Sequence, residues 1–294
     1  MFYRRKILLS IIELLGGTVD KLRLQKILFL YSQRKSSAEY DFIPYKYGGY
    51  SFTAHADINA MLRSGILSEA GVQYSKKDTI SYFSQIKEKD KALITSVVSE
   101  YGKMSNKALL RHTYLNFPFY AIRSDIAQDM LPGKLYQRIE NAVPTVHGII
   151  MFTIGYEGIS LEKYLLKLIE NGVKLLVDVR RNPLSMKFGF SKSLLQRYCH
   201  CVGIDYIHLP EVGIASEYRR NLESKEDYEH LFAFYRETTL NETRQTQIQI
   251  LELLKKYQRI ALTCFEADAC RCHRSHLAEA IKNLPDFEYS VKHL

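Results

Sequence analysis

Tryptophan is absent from this 294-residue chain and cysteine occurs only five times. No apolar run approaches the roughly 20 residues that a membrane-spanning helix needs. The opening MFYRRKILLSIIELLGGTVDK puts an acid and glycines where a signal peptide requires a small-residue cleavage site, so a cytoplasmic protein with no membrane partner is expected. The cysteines are odd in number and crowded between Cys199 and Cys272, which is a poor disulfide framework and suits free thiols in a reducing compartment. Repeats and low-complexity tracts are also missing. Without tryptophan, the 21 tyrosines read first as ordinary core and interface aromatics, with base stacking as the alternative.

What is present suffices for two folded domains: 46% of the chain is apolar and 12% of the chain is aromatic. The net charge of +9 favours a polyanionic partner, a nucleic acid or a nucleotide; ordinary solvated lysines are the alternative. The pattern changes near Pro144, where LYQRIENA ends a helical stretch, VPTVHG breaks it and IIMFTIGY reads as a buried strand. Residues 1–143 are expected to form a mainly helical recognition domain and 150–294 a separate α/β domain.

In the first domain RKILLSIIELLG and DKLRLQKILFLYSQ show apolar residues at helical spacing, with Asp20 as N-cap of the second. A helix ending near Ser64-Gly65 follows, then the short strands GVQYS and TISYFS, an order compatible with a winged helix. The second domain alternates. IMFTIGYEG, VKLLVDVRR, IDYIHLPEVG and RIALTCFEAD read as strands, and SLEKYLLKLIENG (opened by Ser160), SKSLLQRYCHCVG, TQIQILELLKKYQ and CHRSHLAEAIKNL as helices. That alternation predicts a doubly wound, Rossmann-like parallel sheet, whose ligands collect at the carboxyl ends of the strands.

The polar residues cluster at those ends. Tyr156 and Glu157 follow the first strand, Asp178, Arg180 and Arg181 the second, His208 and Glu211 the third, and Cys264, Glu266 and Asp268 the fourth. TIGYEG lacks both the three-glycine dinucleotide pattern and the P-loop lysine, so no cofactor is expected, and Gly155 and Gly158 serve either a phosphate or a tight turn. Asp178 needs a partner in so apolar a strand, and Arg180 is the natural one. The pair either stabilises a developing cation or only fixes the loop. Cys270 to Arg274 are placed at a helix N-terminus, where Cys272 would be a reactive thiolate and Arg274 an anion clamp. Zinc held by Cys264, Cys270, Cys272 and His273 is disfavoured by the Cys-x-Cys-His spacing and by the lack of a second Cys-x-x-Cys, so no metal is expected. His276 reads as a neighbour along the helix, and Arg219 with Arg220 as an exposed loop, phosphate binding being the alternative.

TIGYEG, LLVDVRRNPLS, FSKSLL, GIDYIHLPEVG and ALTCFEAD with CHRSHLAEAI resemble, in this order and over residues 150–284, the Domain of Unknown Function 488 family. Cys270 is not part of that pattern. The resemblance implies a Rossmann-like domain of nucleotide- or nucleic-acid-related activity. The first domain resembles, over most of residues 5–125, the Panacea-type antitoxin-associated domain, through LRLQKILFLYSQ, YKYGGYS and YGKMSNKALLRHTYLNFPFY, with Gly48-Gly49 where that family has Gly-Pro. That resemblance implies a module for a protein or DNA partner.

The leading functional expectation is hydrolysis of an N-glycosidic bond. Asp178, Glu266 and Cys272 are the candidate catalytic residues; Tyr156, Glu157, Arg180, Arg181, His208, Cys264, His273 and Arg274 are the candidate substrate contacts. The alternatives are a non-catalytic sensor or adaptor and a thiol-dependent enzyme acting through an exposed, low-pKa Cys272.

Overall fold

The computed structural model describes residues 1–219 and 224–294. The chain divides into two compact units, Met1–Val143 and Pro144–Leu294.

The first unit is rich in helix. It runs α1 (Tyr3–Leu14), β1 (Thr18–Asp20), α2 (Lys21–Gln33), β2 (Ile43–Tyr45), β3 (Gly48–Tyr50), α3 (Phe52–Arg63), β4 (Leu67–Ala70), β5 (Gln73–Lys76), α4 (Glu88–Tyr101), α5 (Asn106–Asn116), α6 (Ala127–Met130) and α7 (Lys134–Glu140). Asp20 caps α2 as its sequence predicts, accepting from the Leu22 and Arg23 amides. The expected strand GVQYS is β5, which pairs antiparallel with β4 and β1, whereas TISYFS forms no strand; Phe83–Gln85 is a single 3-10 turn there. Ile7, Leu8 and Ile11 of α1 meet Leu24, Ile27 and Leu28 of α2 in one core.

The second unit contains β6 (Ile150–Gly155), α8 (Leu161–Glu170), β7 (Leu175–Asp178), α9 (Lys192–Cys201), β8 (Asp205–His208), α10 (Lys225–Glu237), α11 (Thr239–Glu242), α12 (Arg244–Tyr257), β9 (Arg259–Cys264), α13 (His273–Lys282) and β10 (Ser290–His293). Its five-stranded sheet has the order β10-β6-β9-β7-β8, and every neighbouring pair is parallel. With helices on it, this sheet fits the predicted α/β Rossmann-like class. Ser160 opens α8 by accepting from the Lys163 amide.

Register fixes what stands where. Gly155 is level with Cys264, and Asp178 with both Thr263 and His208, so the ends of β6, β9, β7 and β8 form one line. Side chains alternate across a sheet, and this parity divides the line. Leu175, Val177, Ile260 and Leu262 lie in one core with Leu231 of α10, Leu251 of α12 and Leu277 of α13. Cys264 shares their side. Thr263 lies on the other side, where the Tyr164 hydroxyl of α8 donates to its Oγ1 at 2.8 Å, and Asp178 shares that side.

In the first unit Lys26 is 2% exposed, and its Nζ donates to the Gly49 carbonyl at 2.7 Å. Burial pulls its amine from 10.5 down to about 7. An unfolded chain holds that proton until the ordinary lysine value, so the unfolded state binds more protons between those limits and stability rises with pH across that window. In carbon-13 NMR of lysine-labelled protein, one Cε signal should titrate near 7 and vanish in Lys26→Met. A Lys26 midpoint at the ordinary 10.5 would contradict its burial.

Candidate functional site

Asp178 is fully buried, and its partner Arg180 reaches back from two residues on. Arg180 Nε donates to Asp178 Oδ1 at 2.8 Å and Nη2 to Oδ2 at 2.5 Å, a bidentate pair. Nη1 donates to the Tyr156 hydroxyl at 2.9 Å and to the Phe190 carbonyl at 2.8 Å. Burial opposes the charge on this guanidinium, but the bonds to Asp178 outweigh it and its pKa is raised. The Tyr206 hydroxyl donates to Asp178 Oδ2 at 2.6 Å. His208 Nε2 lies 2.8 Å from the Arg180 carbonyl; a carbonyl only accepts, so Nε2 carries the proton and Nδ1 accepts from Lys192 Nζ at 3.1 Å.

A second group forms across the sheet, between the end of β9 and the start of α13. Cys264, Cys272 and His273 are buried and Glu266 is half-buried; their sulfur, nitrogen and carboxylate oxygen atoms all lie within 4.8 Å of one another. Glu266 Oε2 accepts from Cys264 Sγ at 3.1 Å and from Cys272 Sγ at 2.9 Å. His273 Nδ1 stands 3.5 Å from Cys264 Sγ and 3.9 Å from Cys272 Sγ. Its Nε2 is 3.1 Å from the Val179 carbonyl and must donate to it, so the Nδ1 lone pair faces the sulfurs.

The loop between these residues is clamped from both sides. Arg274, 1% exposed, donates from Nη1 to the Glu266 carbonyl at 2.5 Å and from Nη2 to the Ala267 carbonyl at 3.0 Å. The Tyr156 and Glu157 amides donate to the Phe265 carbonyl, and Glu157 Oε2 accepts from the Ala267 amide at 3.0 Å. Gly155 makes this approach feasible: a Cβ there would sit 1.8 Å from the Glu266 carbonyl oxygen. Gly158, at φ +74°, turns the chain into α8. Gly158 thus does the tight-turn work, while Gly155 serves by leaving room for the loop.

Two cavities open on the carboxyl edge. One, of about 280 Å³, is bordered by Tyr156, Arg180, Arg181, Ser185, Cys264 and Phe265. A smaller one, of about 180 Å³, is bordered by Ile214, Tyr228, Phe232, Glu266, Arg271 and His273.

Several expectations change in this light. Tyr156 is buried with its ring stacked on Phe190 at 4.3 Å, so it has no open face to offer a base. Asp178 is sealed by Arg180 and Tyr206 and faces away from Glu266, because parity sends the ends of β7 and β9 to opposite sides. Arg274 spends Nη1 and Nη2 on carbonyls of its own loop and Nε on Thr153 Oγ1 of β6 at 3.4 Å, so it fastens the wall where an anion clamp was expected. The reactive-thiolate reading fails on burial. Cys272 is the inward-turned N-cap of α13 at 1% exposure, and burial first, then Cys264 and Glu266, push its thiol well above the ordinary value. Cys270 is exposed on a 3-10 turn and stays out of the cluster, while Glu266, absent from the zinc set weighed in the sequence, joins it.

Glu157, Arg181 and His208 remain at the strand ends as expected. Glu211 Oε1 accepts from Thr246, and His276 lies beside Phe232 and Arg236. Arg220 and the Arg219 side chain lie outside the described residues. Tyr206, Phe190, Lys192, Thr153 and Phe265 were not singled out in the sequence. For Tyr206 a signal existed: it is two residues before His208 on β8 and level with Leu176, hence on the Asp178 side.

Residues 160–281 match a family model described as Domain of unknown function DUF488. The stretch runs from the cap of α8 into the last turn of α13, and it includes Asp178, Arg180, His208 and the whole 264–274 segment. A search of the curated proteins finds no match to the chain.

Asp178→Asn should destabilise the second unit by about 3–5 kcal/mol, because it leaves the buried Arg180 uncompensated. Urea unfolding followed by circular dichroism measures this, and a loss below about 1 kcal/mol would mean that the pair is not buried as described. Gly155→Ala should displace the 265–267 loop. Amide exchange in that loop should then rise, and unchanged protection would contradict the close approach.

Proposed function

We propose that the second unit acts on a nucleotide or a nucleic-acid base, and that its reaction is hydrolysis of an N-glycosidic bond. The observation that carries this reading is Glu266, the candidate catalytic acid that borders a cavity on the carboxyl edge, while Asp178 is committed to Arg180. Water adds to the sugar carbon as the bond to the base breaks. The water proton goes to Glu266, and the base leaves with a proton from solvent. Arg181 at the larger cavity and Arg271 at the smaller are exposed cations suited to flanking phosphates. Phe265 is 44% exposed and takes the stacking role that buried Tyr156 cannot. The net charge of +9 supports a phosphate-bearing partner.

The first unit serves recognition in this reading. Its order of helix, strand, helix, the short β2–β3 pair, helix and the β4–β5 hairpin, with β1 pairing to β5, supports a winged-helix-like module, of the Panacea type that it resembles, for a DNA or protein partner. A sensor or adaptor is the second reading, favoured by the sealed Asp178–Arg180 pair, since a buried ion pair organises a binding loop without doing chemistry. Among the described residues, no helix is long and apolar enough to cross a membrane.

Purified protein incubated with DNA and RNA carrying normal and modified bases should release free base, detected by mass spectrometry. Glu266→Gln should cut release at least about 100-fold, in the range expected for losing a general base. Binding without release from any substrate would favour the sensor, and release unchanged by Glu266→Gln would overturn the role given to that acid.

A further inference from the structure

We infer that Cys264, Glu266, Cys272 and His273 form a binding site for one thiophilic divalent cation, zinc being the best match. The inference goes beyond the base-excision reading and does not rest on it. Two thiolates, an imidazole and a carboxylate are a donor set that zinc takes in tetrahedral geometry, with Zn–S near 2.3 Å and Zn–N or Zn–O near 2.0 Å.

The distances fit that polyhedron. A tetrahedral ion with such bonds puts sulfur about 3.5 Å from a neighbouring nitrogen or oxygen ligand. The two sulfur-to-Nδ1 distances, 3.5 and 3.9 Å, bracket that value. The two sulfur-to-Oε2 distances, 3.1 and 2.9 Å, are those of thiol–carboxylate hydrogen bonds. Binding an ion exchanges those two protons for the cation, and the carboxylate moves back by roughly half an ångström to reach the edge length of the tetrahedron. All four donors already converge within 4.8 Å, so the widest separation closes by about an ångström to reach the edges of the tetrahedron.

The surroundings are those of a ligand site. His273 Nε2 donates to the Val179 carbonyl, which fixes the tautomer that presents Nδ1 to the sulfurs. Arg274 and the Gly155 approach hold the Glu266 backbone in place. The cavity bordered by Glu266 and His273 supplies a path from solvent. Sequence spacing pointed away from this site because its ligands are Cys-x-Glu and Cys-His, six residues apart from Glu266 to Cys272, a pattern that only the turn between β9 and α13 brings together. A bond through Oε2 uses one carboxylate oxygen and is compatible with a water held by the other in the proposed reaction.

The test is titration of the reduced full chain, stripped of metal, with cobalt(II) alone and without substrate. One equivalent should bind, with thiolate-to-cobalt charge-transfer absorption and the strong visible bands of tetrahedral cobalt, and one equivalent of zinc should displace it. Cys264→Ser and Cys272→Ser should each lose the charge-transfer intensity, and Cys270→Ser should keep all of it. Because a buried cysteine variant can unfold, half-buried Glu266→Gln provides the independent arm. It should stay folded by circular dichroism and bind cobalt at least about 10–100-fold more weakly, the loss typical of disturbing even a partner of a ligand. Folded wild type without sulfur-to-cobalt absorption would overturn the site, as would equal binding by Glu266→Gln or dependence on Cys270. Because no substrate is present, these outcomes are separate from those of the base-release experiment.

Discussion

Arg180 is the residue on which the carboxyl edge of the sheet depends. A guanidinium with planar, diverging donors can hold a carboxylate with one edge and still reach two other acceptors. Arg180 does this for Asp178 at the end of β7, Tyr156 after β6 and the Phe190 carbonyl before α9, and its own carbonyl receives His208 from β8. Three strand-end segments and the start of a helix are thereby tied to one buried charge. Replacing it with lysine would keep the charge but not the geometry.

The thiols, the imidazole and the Glu266 carboxylate gather on the other side of the sheet. Cys264, on the α13 side by parity, sits next to a loop whose backbone is gripped by Arg274 from below and by the Tyr156 and Glu157 amides from the side. The two arginines therefore divide the labour. Arg180 fixes where the strand ends are, and Arg274 fixes the path of the chain from Cys264 to His273. A segment clamped at both ends can hold two thiols, an imidazole and a carboxylate close together while Cys270, on the 3-10 turn between them, faces solvent.

Much of this was legible. Strong apolar runs gave β6, β7 and β9 their place, Ser160 and Asp20 marked helix starts, and the family likeness over residues 160–281 takes in the ends of β7, β8 and β9 but begins after TIGYEG. Among the elements that escaped, β10 is short and largely exposed at the sheet edge, and α10 was signalled by the Ser224–Asp227 capping box and by Tyr228, Leu231, Phe232 and Tyr235 at helical spacing. The roles within the site were harder. Residue type placed Asp178, Glu266 and Cys272 in one centre, but alternation along β7 and β9 puts Asp178 on one face and Cys264, the strand residue that meets Glu266 and Cys272, on the other. That alternation could have been read from Leu176 and Leu262, two residues before Asp178 and Cys264 respectively. The partnership of Glu266 with the cysteines and His273 depends on the folding of the 265–271 turn, which no spacing rule encodes.

The most direct measurement is X-ray absorption at the zinc edge of the full chain loaded with one equivalent of zinc. The account predicts a shell of two sulfurs at about 2.3 Å and two nitrogen or oxygen atoms at about 2.0 Å, with imidazole scattering from His273. A shell of light atoms only, or one with three sulfurs, would contradict it.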